Sequence, residues 1–176
     1  MNLSGSKEIC ADVNTVWESL LSSEVLKECV PGCKEMLGSP NEGFQATVVQ
    51  KVGPVKATFK GEVTLSDIIA GESLTLSGSG KGGAAGFAKG SAQVQVKQEN
   101  DLTVLSFEVE AKVGGKLAQL GSRLIDGFAK RMVEQFFEKF KASVEGPDQS
   151  TSEEIKEEEE IKEKKGWLSS LTQKNK

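Results

Sequence analysis

Hydrophobic and polar residues alternate over much of the chain up to residue 115, and this alternation predicts β-strands. In residues 55–65 every second side chain is apolar or small, and residues 105–111 repeat that pattern. Further strands are predicted at 3–9, 44–52, 74–80 and 88–96, joined by short turns such as 51–54 and 98–101. Such short connections suit hairpins, so we expect antiparallel neighbours in one sheet.

The hydrophobic pattern becomes helical in three places. Asp12 can cap a first helix that places Val13, Val16, Trp17, Leu20 and Leu21 on one face. A second short helix is expected at 24–28, ending before Pro31. After Gly115 one helix of about thirty residues is predicted, with an apolar stripe of Leu117, Leu120, Leu124, Phe128, Met132, Phe136, Phe140 and Val144. A helix this long with one apolar face needs a sheet to lie on. The predicted class is therefore α+β, with a curved antiparallel sheet gripping the C-terminal helix.

The distribution of charge separates a body from a tail. Residues 146–152 have the composition of a turn and linker. Residues 147–161 carry seven acids and one lysine, whereas 162–176 carry five lysines and one glutamate. We therefore predict a domain at 1–146 and a charged, flexible tail at 147–176.

A short amphipathic segment is predicted within the tail at 166–172. Trp167, Leu168 and Leu171 share one helical face and are flanked by lysines. Tryptophan among lysines suits the surface of a membrane that contains anionic lipid. A solvated tail and contact with a partner enzyme are the alternative interpretations.

Composition narrows the chemistry. The chain has no histidine and no tyrosine, which removes the commonest general base and the commonest transition-metal ligand. Its net charge of −4 disfavours a nucleic-acid binder held by phosphate contacts. No apolar run approaches the length of a membrane-spanning helix, and residues 1–7 lack the pattern of a signal peptide. These features predict a cytoplasmic binding protein without catalytic residues or a metal site.

Three cysteines, Cys10, Cys29 and Cys33, are expected to be reduced. Cys29 and Cys33 flank a Pro-Gly turn, and turn structure is favoured over a metal site or a redox disulfide.

Small residues occupy many inward strand positions. They are Ala46, Ala57, Gly61, Gly78, Gly80, Ala88, Gly90, Ala92 and Ala111. These small residues form a wall that faces long side chains of the terminal helix. Such a wall indicates either close packing of the helix on the sheet or an apolar hollow between them. The glycine-rich segment 80–90 lacks the spacing of a phosphate-binding loop and is interpreted as a flexible lip carrying Phe87.

Five motifs in order resemble the CoxG family, which takes its name from carbon monoxide dehydrogenase and is a branch of the START-like (helix-grip, SRPBCC) superfamily. They are Val16-Trp17; Val-Pro-Gly-Cys at 30–33; Gly-Pro-Val-Lys at 53–56 with Phe-Lys-Gly at 59–61; the segment 80–90; and 113–125. The resemblance covers residues 1–145. It implies seven antiparallel strands, two short helices after the first strand, and a deep apolar cavity under the last helix. Members of the family are associated with molybdenum hydroxylases, in maturation, membrane attachment or quinone supply.

The resemblance and the small-residue wall together predict a non-catalytic carrier or accessory protein. It would hold a hydrophobic ligand, such as an isoprenoid quinone or another lipid, and serve a molybdenum hydroxylase of the carbon monoxide dehydrogenase type, with peripheral contact at the inner face of the cell membrane. No other cofactor is expected. The expected cavity residues are Trp17, Phe59, Phe87, Phe107, Leu124, Phe128 and Met132. The alternatives are a maturation factor that docks on the oxidoreductase without a small ligand, and a START-like enzyme using a cavity carboxylate, for which Asp126 is the candidate.

Overall fold

The computed structural model describes residues 1–146. The elements in these residues are β1 (Asn2–Ile9), α1 (Val13–Leu20), α2 (Ser23–Cys29), β2 (Cys33–Ser39), β3 (Gly43–Val52), β4 (Val55–Ile69), β5 (Ser73–Lys81), a 3-10 turn (Gly83–Ala85), β6 (Phe87–Glu99), β7 (Leu102–Gly114), α3 (Lys116–Gln119) and α4 (Ser122–Glu145). The predicted Trp167, Leu168 and Leu171 segment, and the whole predicted tail 147–176, lie outside the described residues. No helix within residues 1–146 is both long and apolar enough to cross a bilayer.

The seven strands form one curved antiparallel sheet in the order β1-β7-β6-β5-β4-β3-β2. Strands β2 to β7 follow one another as hairpin neighbours, and only β1 crosses the sheet to pair with β7. The predicted class, a seven-stranded sheet with a long C-terminal helix and two short helices after the first strand, is confirmed.

The cap at Asp12 explains where α1 begins. Its side chain accepts hydrogen bonds from the backbone N–H groups of Asn14 and Thr15, which have no partner within the helix. Val16 and Trp17 are the buried residues of this helix. The cap therefore sets the start of the helix so that these two side chains point into the core.

Strand β2 is not evident from the alternation of residues alone. It is an edge strand of seven residues, and its register shifts between Cys33 and Glu35. The strand also exposes 56% of Leu37 while Met36 is half-buried. A bulge at an edge removes the strict period of two, so only the resemblance predicts a seventh strand.

The C-terminal helix is interrupted, which corrects the prediction of one continuous helix. Gly121 has a φ of +85°, a conformation that favours glycine, and it separates α3 from α4. The break turns the chain from the end of β7 onto the concave face of the sheet, where α4 packs against α2 and β1.

The core consists of two clusters. The larger contains Ile9, Val16, Trp17, Cys29, Leu74, Val94, Val96, Leu105, Phe137 and Phe140. The smaller contains Val52, Leu117 and Ile125, with Phe59, Val113, Leu120 and Phe128 packed on it. Since Ile125 and Phe140 lie near opposite ends of α4, this helix is fixed to the rest of the domain at both ends.

Candidate functional site

A cavity of about 520 Å³ lies between the sheet and the middle of α4. Its helical wall is formed by Phe128, Ala129, Met132 and Val133. Phe128 packs on the smaller core cluster and Val133 on the larger, and Ala129 and Met132 lie between them along α4. Phe59, Leu117 and Ile125 line one end of the cavity. The site is therefore a gap within the hydrophobic core, with apolar side chains on nearly every side.

The sheet side of the cavity is made of small residues in two adjacent rows. Ala46, Gly61, Gly80 and Ala88 stand opposite one another across β3, β4, β5 and β6. Gly78, Gly90 and Ala111 form the next row across β5, β6 and β7. All seven line the cavity, whereas Ala57 and Ala92 of the predicted wall do not. Because they lack large side chains, these rows leave space in front of the sheet.

The four glycines of these rows differ in how much space an added Cβ atom would find. Gly61 and Gly80 have more space than Gly78 and Gly90. A Cβ atom at Gly61 would lie 3.4 Å from the nearest atom, Ser79 O, and one at Gly80 would lie 3.8 Å from Lys60 O. At Gly90 a Cβ would overlap the carbonyl oxygen of Glu110, and at Gly78 it would lie 2.9 Å from Glu62 O. Gly61 and Gly80 therefore border open cavity space, whereas Gly78 and Gly90 are required by close approach of neighbouring strands.

A smaller cavity of about 240 Å³ adjoins the first and shares Val30, Met36, Phe44 and Val63 with it. Phe107 and Phe137 line this second space and stack with their ring centroids 5.3 Å apart. The apolar interior thus continues from the main cavity towards the larger core cluster.

Gln50 is the polar side chain at an inward position of the cavity wall. It follows Phe44, Ala46 and Val48 on the inward side of β3 and precedes Val52, and all five residues line the cavity. Its Nε2 donates a hydrogen bond to the carbonyl oxygen of Pro31, in the turn between α2 and β2. Sequence reasoning missed this residue, although a glutamine in phase with inward apolar residues is a usable signal.

The residues expected to line the cavity fall into three groups. Phe59, Phe128 and Met132 line the main cavity. Phe107 lines the adjoining one. The remaining three, Trp17, Phe87 and Leu124, line neither of these two cavities.

Each of those three departures has a geometric reason. Trp17 lies on α1, and both buried residues of this helix, Val16 and Trp17, pack in the larger core cluster. Phe87 is 45% exposed, since its neighbour Ala88 takes the inward position and Phe87 therefore points to the outer face of β6. Leu124 is 38% exposed. A stripe spaced by four residues drifts around a helix of 3.6 residues per turn, so Leu124 lies about 160° around the axis from Phe140.

The cavity offers little for acid–base or metal chemistry. Glu62 contributes to the lining from an exposed, outward strand position, and Asp126 does not line the cavity. Within residues 1–146 no group of three or more acids or cysteines is arranged to hold a metal ion. Cys10, Cys29 and Cys33 are free thiols. Burial raises the pKa of the Cys29 thiol. It also raises the pKa of the Cys33 thiol, which is less completely buried. The arrangement therefore suits apolar binding.

The architecture is that of a START-like helix-grip protein. A conserved protein from Geobacillus kaustophilus is similar in structure with a TM-score of 0.76 and 28% sequence identity, covering 82% of this chain and 95% of that one. A protein from Chromobacterium violaceum (TM-score 0.61, 14% identity, covering 84% and 99%) and one from Thermus thermophilus (0.61, 13%, 82% and 97%) share the fold. No curated protein matches the sequence.

The model of the CoxG family, described as the G subunit of carbon monoxide dehydrogenase, matches residues 5–145. The chain belongs to this family, as the five motifs predict.

Proposed function

We propose that this protein is a non-catalytic carrier that holds a hydrophobic molecule, such as an isoprenoid quinone or another lipid, in the cavity beneath α4. The observation that carries the proposal is the gap of about 520 Å³ between two core clusters. That volume is within the range of small-molecule sites. Each Å² of ligand surface removed from water contributes about 25 cal/mol, so an apolar chain needs no charged partner to bind.

The polar end of the ligand would be oriented by Gln50. Its side chain is held by Pro31 on one side and faces an otherwise apolar wall. An amide retains a carbonyl acceptor and a second N–H, which suit a hydroxyl or carbonyl group on a ligand. The Pro31–Cys33 turn would then act as the support that fixes the amide.

Family membership suggests the setting in which the carrier works. The name of the CoxG family associates it with carbon monoxide dehydrogenase, which supports an accessory role for this chain beside a molybdenum hydroxylase. In this role the protein would supply or receive the apolar molecule at the inner face of the cell membrane. The absence of acidic side chains pointing into the cavity from residues 1–146 supports a binding role over catalysis.

Native mass spectrometry of the purified protein, followed by solvent extraction, tests the carrier. We expect a bound lipid that is released by organic solvent, and binding of quinone analogues by the emptied protein. Gly61→Leu should abolish both, because its side chain would enter the cavity. Thr58→Leu, at an exposed position of the same strand, is the matched control and should bind normally. A folded protein that binds neither lipid nor quinone analogue would favour the maturation factor without a ligand.

Gln50→Leu tests the orienting amide separately. It removes the hydrogen-bonding group and retains the approximate volume, so ligands with a polar head should bind about five- to tenfold more weakly, in line with the loss of about one hydrogen bond. Purely hydrocarbon ligands should bind as before. Equal losses for both kinds of ligand in a binding titration would show that Gln50 supports the wall and does not read the head group.

Membrane contact through Trp167, Leu168 and Leu171 is also part of the proposal. Three apolar residues with adjacent lysines would give weak, reversible attachment to anionic lipid. Trp167→Ser with Leu171→Ser should reduce binding to anionic vesicles and leave ligand binding unchanged. Unchanged vesicle binding would remove the tail from the function.

A further inference from the structure

Three chain segments meet at one end of the domain and form what we call the glycine-rich end: residues 51–56, 81–87 and 114–124. The ring of Phe87 lies over Gly114, and the ring of Phe59 lies over Gly82. A Cβ at Gly53 would be 3.3 Å from Leu124 Cδ1, so the β3–β4 turn touches the start of α4. Directly beneath these contacts is the smaller core cluster, which closes that end of the cavity.

The three segments of the glycine-rich end carry only positive charge, and Asp126 of α4 lies two residues beyond the last of them. These segments contain Lys51, Lys56, Lys81, Lys116 and Arg123, and no acid. The turns at the other end of the strands (residues 39–43, 67–72 and 99–102) show the reverse, with Glu42, Asp67, Glu72, Glu99 and Asp101 and no lysine or arginine. The folded body is therefore polarised along its strands, although its net charge is nearly balanced.

Lysines face lysines at this end of the sheet. Lys51 stands opposite Lys56, Lys60 opposite Lys81, and Lys89 opposite Lys112. Like charges directly opposite in antiparallel strands are destabilising. Within residues 1–146 the ion pairs are Lys97–Glu99 and Lys141–Glu145, so none of these lysines is neutralised by a described acid. A stable fold can tolerate three such repulsive pairs. Beside an anionic surface, attraction between the lysines and that surface would offset their mutual repulsion.

Two large apolar side chains project at the same end. Phe87 is 45% exposed and Leu124 is 38% exposed. Phe87 is opposite Lys81 in the sheet, and Leu124 follows Arg123. Each apolar side chain is thus adjacent to a cation, the combination that suits the boundary between lipid head groups and acyl chains.

We infer that the glycine-rich end is a docking surface for an anionic lipid bilayer, with Phe87 and Leu124 entering the interface and the five cations contacting lipid phosphates. Two side chains that project from the first residue of β6 and the first turn of α4 fit a fluid surface. A stable protein partner, by contrast, needs about 800 Å² of complementary surface with buried anchors. This docking rests on the proposed carrier function for its purpose, because it would bring the closed end of the cavity against the source of the apolar ligand. It differs from the contact proposed for residues 166–172.

Vesicle flotation of the full chain tests the surface. The vesicles are phosphatidylcholine with or without phosphatidylglycerol, and we expect binding only with phosphatidylglycerol, decreasing as salt is raised. Lys81→Gln with Lys116→Gln should weaken the partition coefficient roughly thirtyfold, since each lysine near an anionic surface contributes about 1 kcal/mol. Phe87→Ser with Leu124→Ser should weaken it roughly tenfold. All variants are also made with Trp167→Ser and Leu171→Ser, so that the two contacts are measured separately.

Matched controls come from the acidic end. Ile68 and Ile69 are 43% and 54% exposed in the β4–β5 hairpin, so Ile68→Ser with Ile69→Ser removes a comparable exposed apolar surface and should leave flotation unchanged. Lys97→Gln with Lys139→Gln removes two cations elsewhere and should have little effect. If control and test variants lost vesicle binding equally, the binding would depend only on the overall charge and hydrophobicity of the protein. That result would overturn the proposal.

Wild-type binding by both test variants, or no flotation with anionic vesicles, would also overturn it and would leave an acidic protein as the partner for these cations. Ligand binding in solution, measured on the same variants without vesicles, separates this outcome from failure of the carrier. We expect it to be unchanged in all of them, so a loss of ligand binding alone would count against the proposed function and not against the docking surface.

Discussion

The three thiols of the chain differ in how far each lies from water. Cys29 is fully buried in the larger core cluster, Cys33 is half-buried at the start of β2, and Cys10 is exposed. Burial disfavours the thiolate and raises the pKa of Cys29 and Cys33. The Cys33 thiol also donates to the carbonyl oxygen of Glu35, 3.2 Å away. The Pro-Gly turn thus separates a buried thiol from a half-buried one, and both are free.

Thiol modification with a chromogenic disulfide at mildly alkaline pH should therefore proceed in separate phases. Cys10 should react first, Cys33 more slowly, and Cys29 only when the protein unfolds, because a protonated thiol is a poor nucleophile. The thiolate of Cys33 forms only as the pH approaches the raised pKa of this thiol. The rate at which Cys33 is modified should therefore keep increasing at pH values above those at which an ordinary thiol is already ionised. Cys10→Ser should remove only the fast phase; rapid labelling of Cys29 in the folded protein would contradict the assignment.

At the scale of single elements, strand alternation carries most of the information. The stretch from Val55 to Leu65 alternates cleanly and forms most of β4, and the Asp12 cap fixes α1. Helix α4 shows where such reasoning stops. A stripe of residues four apart resembles one helical face, yet the drift of about 40° per repeat moves Leu124 out and brings Ile125 and Ala129 in. Whether small residues face a hollow or a neighbour could not be predicted, because this depends on distances between strands.

Two glycines of the cavity floor provide a matched pair. Gly90→Ala should destabilise the protein by about 1–3 kcal/mol, because its Cβ would meet the Glu110 carbonyl oxygen. Gly61→Ala should be neutral or stabilising by about 0.5–1 kcal/mol, since it fills open space and restricts the unfolded chain. Urea unfolding of both variants measures the difference. Equal destabilisation would show that the floor is packed tightly and that the space before Gly61 does not exist in solution.

The part of α4 that borders the cavity should differ from its C-terminal half in the cost of truncation. Phe140 is fully buried in the larger core cluster and lines neither cavity, so Phe140→Ala should cost about 3–5 kcal/mol in unfolding free energy. Phe128 borders the cavity and already lacks neighbours on that side, so Phe128→Ala should cost clearly less. The comparison uses equilibrium unfolding of the emptied protein. A larger loss for Phe128 would place it inside a continuous core.

For the molecule as a whole, the division of the core is the feature that links the fold to the proposed function. A helix fixed at both ends can span a gap that a uniformly packed interface would close, which accounts for the space between α4 and the sheet. The same division makes the stability of the domain uneven. The larger cluster joins β1, α1, α2 and the second half of α4, whereas only a small cluster closes the glycine-rich end. That end is therefore expected to open first, with lower free energy than global unfolding.

Ligand binding should then stabilise the entire domain, because a molecule in the gap joins the two clusters and binds only the folded state. At a free ligand concentration about one hundred times the dissociation constant, the added stability is about 2.7 kcal/mol. For a domain of this size that corresponds to an increase in Tm of about 5–10 °C. Thermal scans of the emptied protein with increasing quinone analogue should show this concentration-dependent increase.

The Gly61→Leu variant should show no increase in Tm. In the wild-type protein, ligand should slow amide exchange most in α4 beside Ala129 and Met132. An increase in Tm that persists in Gly61→Leu would place the ligand elsewhere on the protein and would contradict the cavity as its site.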